Sequence, residues 1–520
     1  MSTPRPGHPC DRAPRENRPC LRQNPTLPPA QARGQTPGQT PGQARAQARG
    51  QTPGQIPGPP AQGEVWKTSP YSPHRWREEC GVVGIWAPGE EHIADLCYLA
   101  LFALQHRGQE SAGISVTNGL HIESVKGMGL LTDAFRNGRP TLNGHAAIGH
   151  VRYSTYGGSL NCNVQPIFAY SPGGFVGLAH NGNLTNAEEI KAAMTAEGCL
   201  FQTKTDSEVI LNQMARANRE NVEEAIGATL RTITGSYSLV ILLPDRLVGV
   251  RDPRGYRPLC LGRLPEGGYV LASESCALDA VKADFIRDIE PGEMVTIDHK
   301  GLRSTIFDKA EKLSSCVFEY IYFARPDSVL DGLSVWTSRF EMGRELAKEF
   351  KGREADIVIP VPDTGITAAL GFSKESGLPY LEGLIKNRYV GRSFIMPQQI
   401  SRETTVEMKL NPVRANLKDR RVVLIDDSIV RGTTSARIVS LVRRAGAKEV
   451  HMCISSPPIT QSCNYGIDTS IRKELIASNM SVEEIGNVLG VDSLIYLSEK
   501  GLLKSVGDPA NQRNCLECFS

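Results

Sequence analysis

Two stretches of this 520-residue chain gather reactive groups that ordinary packing does not require. The first is Glu79-Cys80-Gly81-Val82-Val83-Gly84-Ile85, where a cysteine stands between a repetitive segment and a dense apolar pattern. Cleavage of the Glu79–Cys80 bond would give Cys80 a thiol nucleophile and a free α-amine, whose ordinary pKa of about 8 suits it to take the thiol proton. Without cleavage Cys80 is a buried strand cysteine, the commoner use of the residue in an apolar run. The second stretch is Val422-Val423-Leu424-Ile425-Asp426-Asp427-Ser428-Ile429-Val430-Arg431-Gly432-Thr433-Thr434-Ser435. An apolar strand here ends in two adjacent carboxylates, and the loop beyond reaches a hydroxyl-rich helix start. Free N–H groups and the helix dipole at such a start suit a phosphate monoester. The carboxylates suit sugar hydroxyls and a magnesium ion bound to pyrophosphate. A third set is Cys316, Cys463, Cys515 and Cys518, the last two in Cys-x-x-Cys spacing. Four soft thiolates fit an iron–sulfur cluster or zinc, and spacing alone leaves cluster, zinc and uncoordinated thiols open.

The elements that must position these groups divide the chain. Its length exceeds one core and predicts two or three domains. Residues 1–79 repeat Gln-Thr-Pro-Gly at 35, 39 and 51 and offer too little apolar surface to offset ordering entropy, so they are expected to be a disordered leader or propeptide. Residues 80–310 alternate short strands (145–151, 175–180, 238–243, 247–251 and 269–273) with Gly-rich turns and with helices near 93–105 and 206–217, an α+β pattern. Residues 311–470 change rhythm. After a connector at 314–327 come a helix at 338–351, a buried strand at 356–359, a polar flap at 386–414, a strand at 422–425, a helix at 434–445 and a strand at 449–455. That α/β order predicts a parallel sheet with ligands at the strand C-termini. Residues 471–520 are expected to hold helices near 471–478 and 482–489 and the closing cysteine pair. A net charge of +2 gives no reason to expect nucleic acid or acidic partners. No apolar run is long enough to span a bilayer, and the basic start lacks the apolar core of a secretory signal. Thirteen cysteines spread over the whole length point to a reducing cytoplasm.

Four further stretches follow Cys80 in order: Gln105-His106-Arg107-Gly108-Gln109-Glu110, Gly149-His150-Val151-Arg152-Tyr153-Ser154-Thr155, His180-Asn181-Gly182-Asn183 and Thr205-Asp206-Ser207-Glu208. With Cys80 they resemble the N-terminal-nucleophile (αββα) glutaminase domain of class II glutamine amidotransferases. The resemblance implies that Cys80 attacks glutamine and that the Asn181 side chain and Gly182 N–H hold the oxyanion. It also implies that Arg152, supported by Arg107, binds glutamine's carboxylate and that Asp206 binds its ammonium.

The 422–435 stretch resembles the phosphoribosylpyrophosphate motif of type I phosphoribosyltransferases, which makes Asp426, Asp427, Ser428, Arg431, Gly432, Thr433 and Thr434 its expected contacts. Upstream, Val358-Ile359-Pro360-Val361-Pro362-Asp363-Thr364-Gly365 looks like that family's pyrophosphate loop, with Thr364 completing a magnesium site on Asp426 and Asp427. Lys386, Arg388 and Arg392 open a stretch resembling the flap that closes on substrate. The sequences after Cys316 and Cys463 are similar to the iron–sulfur-containing branch of the amidophosphoribosyltransferase family, which implies a [4Fe–4S] cluster on Cys316, Cys463, Cys515 and Cys518. The whole resemblance implies that glutamine-derived ammonia displaces pyrophosphate from phosphoribosylpyrophosphate to give 5-phosphoribosylamine, the first step of purine synthesis. Homo-oligomerisation as a tetramer or dimer and inhibition by purine nucleotides are implied with it. Sugar-phosphate aminotransferases share the glutaminase domain but need a sugar-isomerase domain, against which the 422–435 motif argues. An inactive nucleotide-binding regulator of the phosphoribosyltransferase fold would require that Cys80 never become a terminus.

Overall fold

The computed structural model describes residues 80–136, 138–153, 159–171, 174–216, 222–387, 409–467 and 472–519. The leader 1–79, Arg388, Arg392 and most of the 386–414 flap lie outside them. The first half contains β1 (Gly81–Trp86), β2 (Ser111–Thr117), β3 (Ile122–Met128), β4 (Ala146–Arg152), β5 (Ile167–Ser171), β6 (Gly174–Leu184), β7 (Gly235–Leu243), β8 (Arg246–Arg251), β9 (Cys260–Arg263), β10 (Tyr269–Ala272), β11 (Asp284–Asp288), β12 (Glu293–Asp298) and β13 (Gly301–Ile306). They form two antiparallel sheets, in the orders β11-β9-β10-β1-β4-β2-β3 and β13-β12-β8-β7-β6-β5.

The unbroken apolar run of β1 follows from burial on both faces. Val82 and Trp86 enter the core between the sheets, whereas Val83 and Ile85 pack with the helices Ile93–Ala103 and Ser275–Ala280 outside. At Gly84 the sheets approach closely, since a Cβ there would lie 2.5 Å from Val240. The helices Ala187–Ala196, Ser207–Arg216 and Val222–Leu230 cover the second sheet through Ala187, Ile210, Met214, Ile226 and Leu230. The half is therefore a four-layer αββα sandwich.

In the second half the strands Ile357–Pro360, Arg421–Asp426, Glu449–Ile454 and Ser493–Tyr496 lie parallel in that order. Their alternate residues feed two separate cores, with Val358, Val423 and Cys453 on one face and Ile359, Leu424 and Met452 on the other. Burial on both faces explains why these strands read as continuous apolar runs. The helices Val335–Glu349 and Gly365–Ser376 cover the first face, and Thr433–Arg444 and Val482–Leu489 the second. The first two helices meet backbone to backbone, because a Cβ on Gly343 or Gly371 would come within 1.9 Å of a carbonyl of the other helix. At the flap only the base is described, a ribbon in which Leu384–Lys386 pairs with Leu410–Pro412.

The helix expected near 471–478 is instead two 3-10 turns, Arg472–Glu474 and Ile476–Ser478. The Ile476 N–H donates to Val430 O at 2.8 Å, and the side chains of Ser478 and Asn479 bond the carbonyls of Arg472, Lys473 and Leu475. Local side-chain bonds of this kind compete with the helical ladder.

The halves are joined by the segment Glu319–Phe323, a π-type turn just beyond Cys316. Here the structure places Arg107, expected to support the binding of glutamine's carboxylate. Its guanidinium donates to Glu319 at 2.6 and 2.9 Å and to Glu274 at 2.6 Å, with all three side chains buried. Burial opposes the Arg107 charge, but Glu319 and Glu274 reverse the balance and raise its pKa. Two carboxylates so close hold the guanidinium in place between the halves. Breaking a buried pair costs about 3–5 kcal/mol, so Arg107→Met is expected to lower the urea-unfolding midpoint by a corresponding amount. An unchanged midpoint with only a raised KM for glutamine would return Arg107 to the substrate.

Candidate functional site

Cys80 stands immediately before β1, where the pairing of Gly81 with Val151 sets it beside the end of β4. Its Sγ lies 3.4 Å from Tyr153 O and 3.5 Å from Tyr153 N, and the residue is 7% exposed. Burial pushes the thiol up to about 11 against the pull of Arg152 and the Tyr153 backbone, while Glu110 and Asp206 add to the rise. At neutral pH the group is therefore a thiol and needs a base to become a nucleophile. Arg152, also buried, pairs with Glu110 at 3.2 Å. Glu110 was missed as a site residue although it lies within the quoted Gln105–Glu110 motif. Arg107 reaches the nucleophile from behind, with Nε donating to Cys80 O at 3.1 Å.

The second sheet brings Asn181 and Gly182 on β6. Asn181 is buried, and its Nδ2 has no hydrogen-bond partner among the described residues. Leaving a buried donor unpaired costs about 1–3 kcal/mol, which a ligand's oxyanion would recover. Gly182 has φ +149°, and a Cβ there would lie 2.1 Å from Ser236 O, so no larger residue fits. One rung back, His150 Nε2 donates to His180 O at 2.9 Å and ties β4 to β6. Burial lowers the pKa of both histidines, His150 to about 3, and keeps them neutral. His180 Nδ1 is 3.0 Å from Ser207 Oγ and 3.7 Å from Asp206. Asp206, at the start of the helix Ser207–Arg216, also accepts from the Leu184 N–H at 2.9 Å. Cys80, Arg152, Asn181, Gly182 and Asp206 thus converge from three strands and a helix start.

In the second half, Asp426 ends its strand and Asp427 and Ser428 follow it. The Asp427 N–H donates to Asp426 Oδ1 at 3.0 Å, and Ser428 Oγ donates to Asp427 Oδ1. Thr364 closes on the same carboxylate, its hydroxyl donating to Asp427 Oδ2. This contact depends on the turn Val361–Thr364 lying over the strand end, where the Val361 N–H donates to Ile425 O at 2.8 Å. Gly432 has φ +76° and precedes the helix Thr433–Arg444, whose first turn has no side-chain cap. Lys386 pairs with Asp363, and Arg431 with Glu474. The donors on Asp426, Asp427 and Thr364 are hard oxygens, which fit a magnesium ion that takes its remaining ligands from phosphate and water. Arg339, unmarked by any sequence motif, is buried nearby and donates to the carbonyls of Tyr320 and Ala324 at 2.8 Å each. Burial lowers its pKa to about 10, with the Asp427 charge acting in the opposite sense.

Cys316 and Cys515 are partners in a short parallel bridge. Burial raises the thiols of Cys316 and Cys518, and Cys515 to about 11, with Cys463 adding to all three. The Tyr465 N–H donates to Cys463 Sγ at 3.2 Å, and Phe318, Leu516 and Phe519 supply apolar walls. Among the described residues no three Cys, His, Asp or Glu side chains stand ready-made at metal-ligand spacing. The four thiols nonetheless share one neighbourhood, a donor set that fits a soft metal or an iron–sulfur cluster.

A family model for a glutamine amidotransferase domain matches residues 150–280, and one for a phosphoribosyl transferase domain matches residues 341–473. An amidophosphoribosyltransferase of Archaeoglobus fulgidus is 51% identical over 445 residues, covering 85% of this chain and 97% of that protein. One from Bacillus subtilis is 48% identical, covering 85% and 93%. Among solved structures, the glutamine phosphoribosylpyrophosphate amidotransferase of B. subtilis complexed with ADP and GMP superposes with a TM-score of 0.79 at 48% identity, covering 85% of this chain and 96% of that one. A structure described as the allosteric regulatory enzyme of purine biosynthesis gives 0.80 at 47%, covering 85% and 95%. With a glutaminase sandwich followed by a phosphoribosyltransferase sheet, the chain belongs to the amidophosphoribosyltransferase family, whose glutamine-dependent transfer to phosphoribosylpyrophosphate is the first step of purine synthesis.

Proposed function

We propose that the two half-reactions run at the two constellations just described. In the first, the Cys80 thiol, freed as an N-terminal residue by loss of 1–79, transfers its proton to its own α-amine and attacks the glutamine amide carbon. Asn181 Nδ2 and the Gly182 N–H stabilise the oxyanion, ammonia leaves, and water releases glutamate from the thioester. Arg152 takes glutamine's carboxylate and Asp206 its ammonium. The observation that carries this reading is the buried Asn181 Nδ2, which has no hydrogen-bond partner among the described residues.

In the second half-reaction the N–H groups at Gly432, Thr433 and Thr434 take the 5-phosphate, with Ser428 and Arg431 beside them. Asp426 and Asp427 hold the ribose hydroxyls. Lys386, together with Arg388 from outside the described residues, takes pyrophosphate. Asp426, Asp427 and Thr364 would hold a magnesium ion, which when bound would supply charge neutralisation to the pyrophosphate leaving group. Closure of the 386–414 flap keeps water from competing with ammonia.

A [4Fe–4S] cluster on Cys316, Cys463, Cys515 and Cys518 pins the C-terminal segment to the junction, a structural role. Purine nucleotides of the kind bound by the B. subtilis enzyme inhibit a cytoplasmic homo-oligomer, dimer or tetramer. In keeping with that location, among the described residues no helix is long and apolar enough to cross a membrane.

The half-reactions give separable tests. Cys80→Ala abolishes glutamine use, and Asn181→Ala lowers its kcat by about 10²–10³-fold, while both leave ammonia-dependent phosphoribosylamine synthesis intact. Glutamine-dependent turnover at wild-type rates in either variant removes this site.

Asp426→Asn and Asp427→Asn slow synthesis from glutamine and from ammonia alike by about tenfold or more, the ~1.5–3 kcal/mol that a charge-assisted contact contributes. Full activity with both nitrogen sources would remove the phosphoribosylpyrophosphate site.

The pH profile separates amine from thiol. Protonation of the α-amine removes the base, so kcat/KM for glutamine rises with pH and levels off near the amine pKa of about 8. An ascending limb that continues toward 11, where burial sets the Cys80 thiol, would show that the amine is not the base.

A further inference from the structure

The strand that carries the oxyanion donors does not end its hydrogen bonding within the glutaminase half. The Asn183 N–H, next in sequence to Gly182, donates to Ser236 Oγ at 3.2 Å. The Ser236 hydroxyl in turn donates to Tyr465 O at 2.6 Å, 229 residues away in sequence. Beside it, Asn183 Nδ2 donates to Asn464 O at 2.9 Å. The Tyr465 carbonyl is gripped a second time by the buried Arg257, and the Tyr465 ring stacks on Tyr256 at 4.2 Å. Gly466 completes the contact, for a Cβ on it would fall 2.8 Å from Arg257 and 3.5 Å from the carbonyl carbon of Gly182.

We propose that Ser236 is a positioning residue for the oxyanion donors, and that the loop Asn464–Gly466 from the far end of the chain is the anchor it uses. The inference rests on the assignment of Asn181 and Gly182 as those donors. A donor stabilises a developing oxyanion only if it is already aimed when the charge appears, and its value falls steeply with misplacement. Gly182, with its positive φ, lacks the side-chain sterics that hold other residues in a single backbone basin. The Ser236 hydroxyl supplies that restraint from outside. It accepts from one side of the Gly182–Asn183 peptide link and donates to a carbonyl that Arg257 and the Tyr256 ring hold in place. A fully buried hydroxyl with both roles filled is rigid in a way that a solvent-facing serine is not.

Ser236→Ala is therefore expected to lower kcat with glutamine about tenfold, less than the 10²–10³-fold of losing a donor outright. KM for glutamine stays unchanged, because Arg152 and Asp206 are untouched. Ammonia-dependent synthesis and alkylation of Cys80 by iodoacetamide proceed at wild-type rates. Asn183→Ala, which removes the neighbouring tether at a partly exposed side chain, carries the same expectation and serves if Ser236→Ala does not fold. Wild-type glutamine kcat in both variants overturns the proposal. A parallel loss of ammonia-dependent activity also overturns it, since the hydroxyl would then support the whole fold. If Asn181→Ala is slow while Ser236→Ala and Asn183→Ala are not, this inference alone fails. If Asn181→Ala itself turns over glutamine normally, the oxyanion assignment fails first.

Discussion

The carboxylate of Glu319 is a buried hub between the two halves. Arg107 clamps it from the glutaminase side with two hydrogen bonds, and Arg257 approaches it at 3.9 Å. The turn that Glu319 begins is then held from the other half by Arg339, through the carbonyls of Tyr320 and Ala324. A carboxylate taken out of water is costly unless it is paired and hydrogen-bonded, and here three buried arginines surround a five-residue turn. The arrangement is stiff because no single member can leave without stranding the charge of another. Glu274 extends it, accepting from Arg107, His106, Ser328 and the Arg325 N–H. Its carboxyl is held well below the ordinary range: burial works against the charge, and His106 and Arg107 outweigh burial.

That stiffness gives the two sites different electrostatic settings within one body. Cys80 lies in a dry crevice where the thiol is disfavoured as an anion, a state in which it neither oxidises readily nor reacts with stray electrophiles. Its activation needs a base. The strand end at Asp426–Asp427 is built the other way. Two adjacent carboxylates are kept close by backbone and hydroxyl donors, a concentration of negative charge that a divalent cation relieves. The neutral nucleophile and the charged cation site are each suited to their reactant, an uncharged amide in one case and a pyrophosphate in the other.

Much of this was legible in the sequence because the local signals agree with the tertiary ones. The run at 422–425 is apolar at every position and that at 356–359 at all but Asp356, and both proved to belong to strands buried on both faces. The helix expected near 482–489 is present, closed by a cap in which Ser481 accepts from the Glu484 N–H and Glu484 accepts in return from the Ser481 N–H. Arg152, Asn181 and Asp206 were singled out because chemistry limits which residue types can do the work expected of them. The carboxylate partners of Arg107 could not be foreseen, because Glu274 and Glu319 lie more than 160 residues away in sequence. Nothing local marks Glu319 as the hub, nor Arg339 and Arg257 as its companions. The turns at 472–478 show the same limit, since a tertiary bond from Ile476 to Val430 joins the local bonds of Ser478 and Asn479 in place of a helical ladder.

The C-terminal residues, seen from the sequence, are a short tail ending in a cysteine pair, and a tail is ordinarily the part of a chain that can be lost. In the structure they are an inner support. Cys515 bridges Cys316, three residues before Glu319. The Cys518 carbonyl accepts from the N–H groups of Thr460 and Gln461, which lead into Cys463, Asn464 and Tyr465. The segment that closes the chain therefore braces the turn joining the halves and the loop lying against Gly182. A force on the four cysteines is transmitted to Glu319 on one side and to the oxyanion strand on the other, with only a few covalent bonds between. A cluster or metal held on these cysteines would therefore act on both segments by fixing where they lie, with no need of electron transfer.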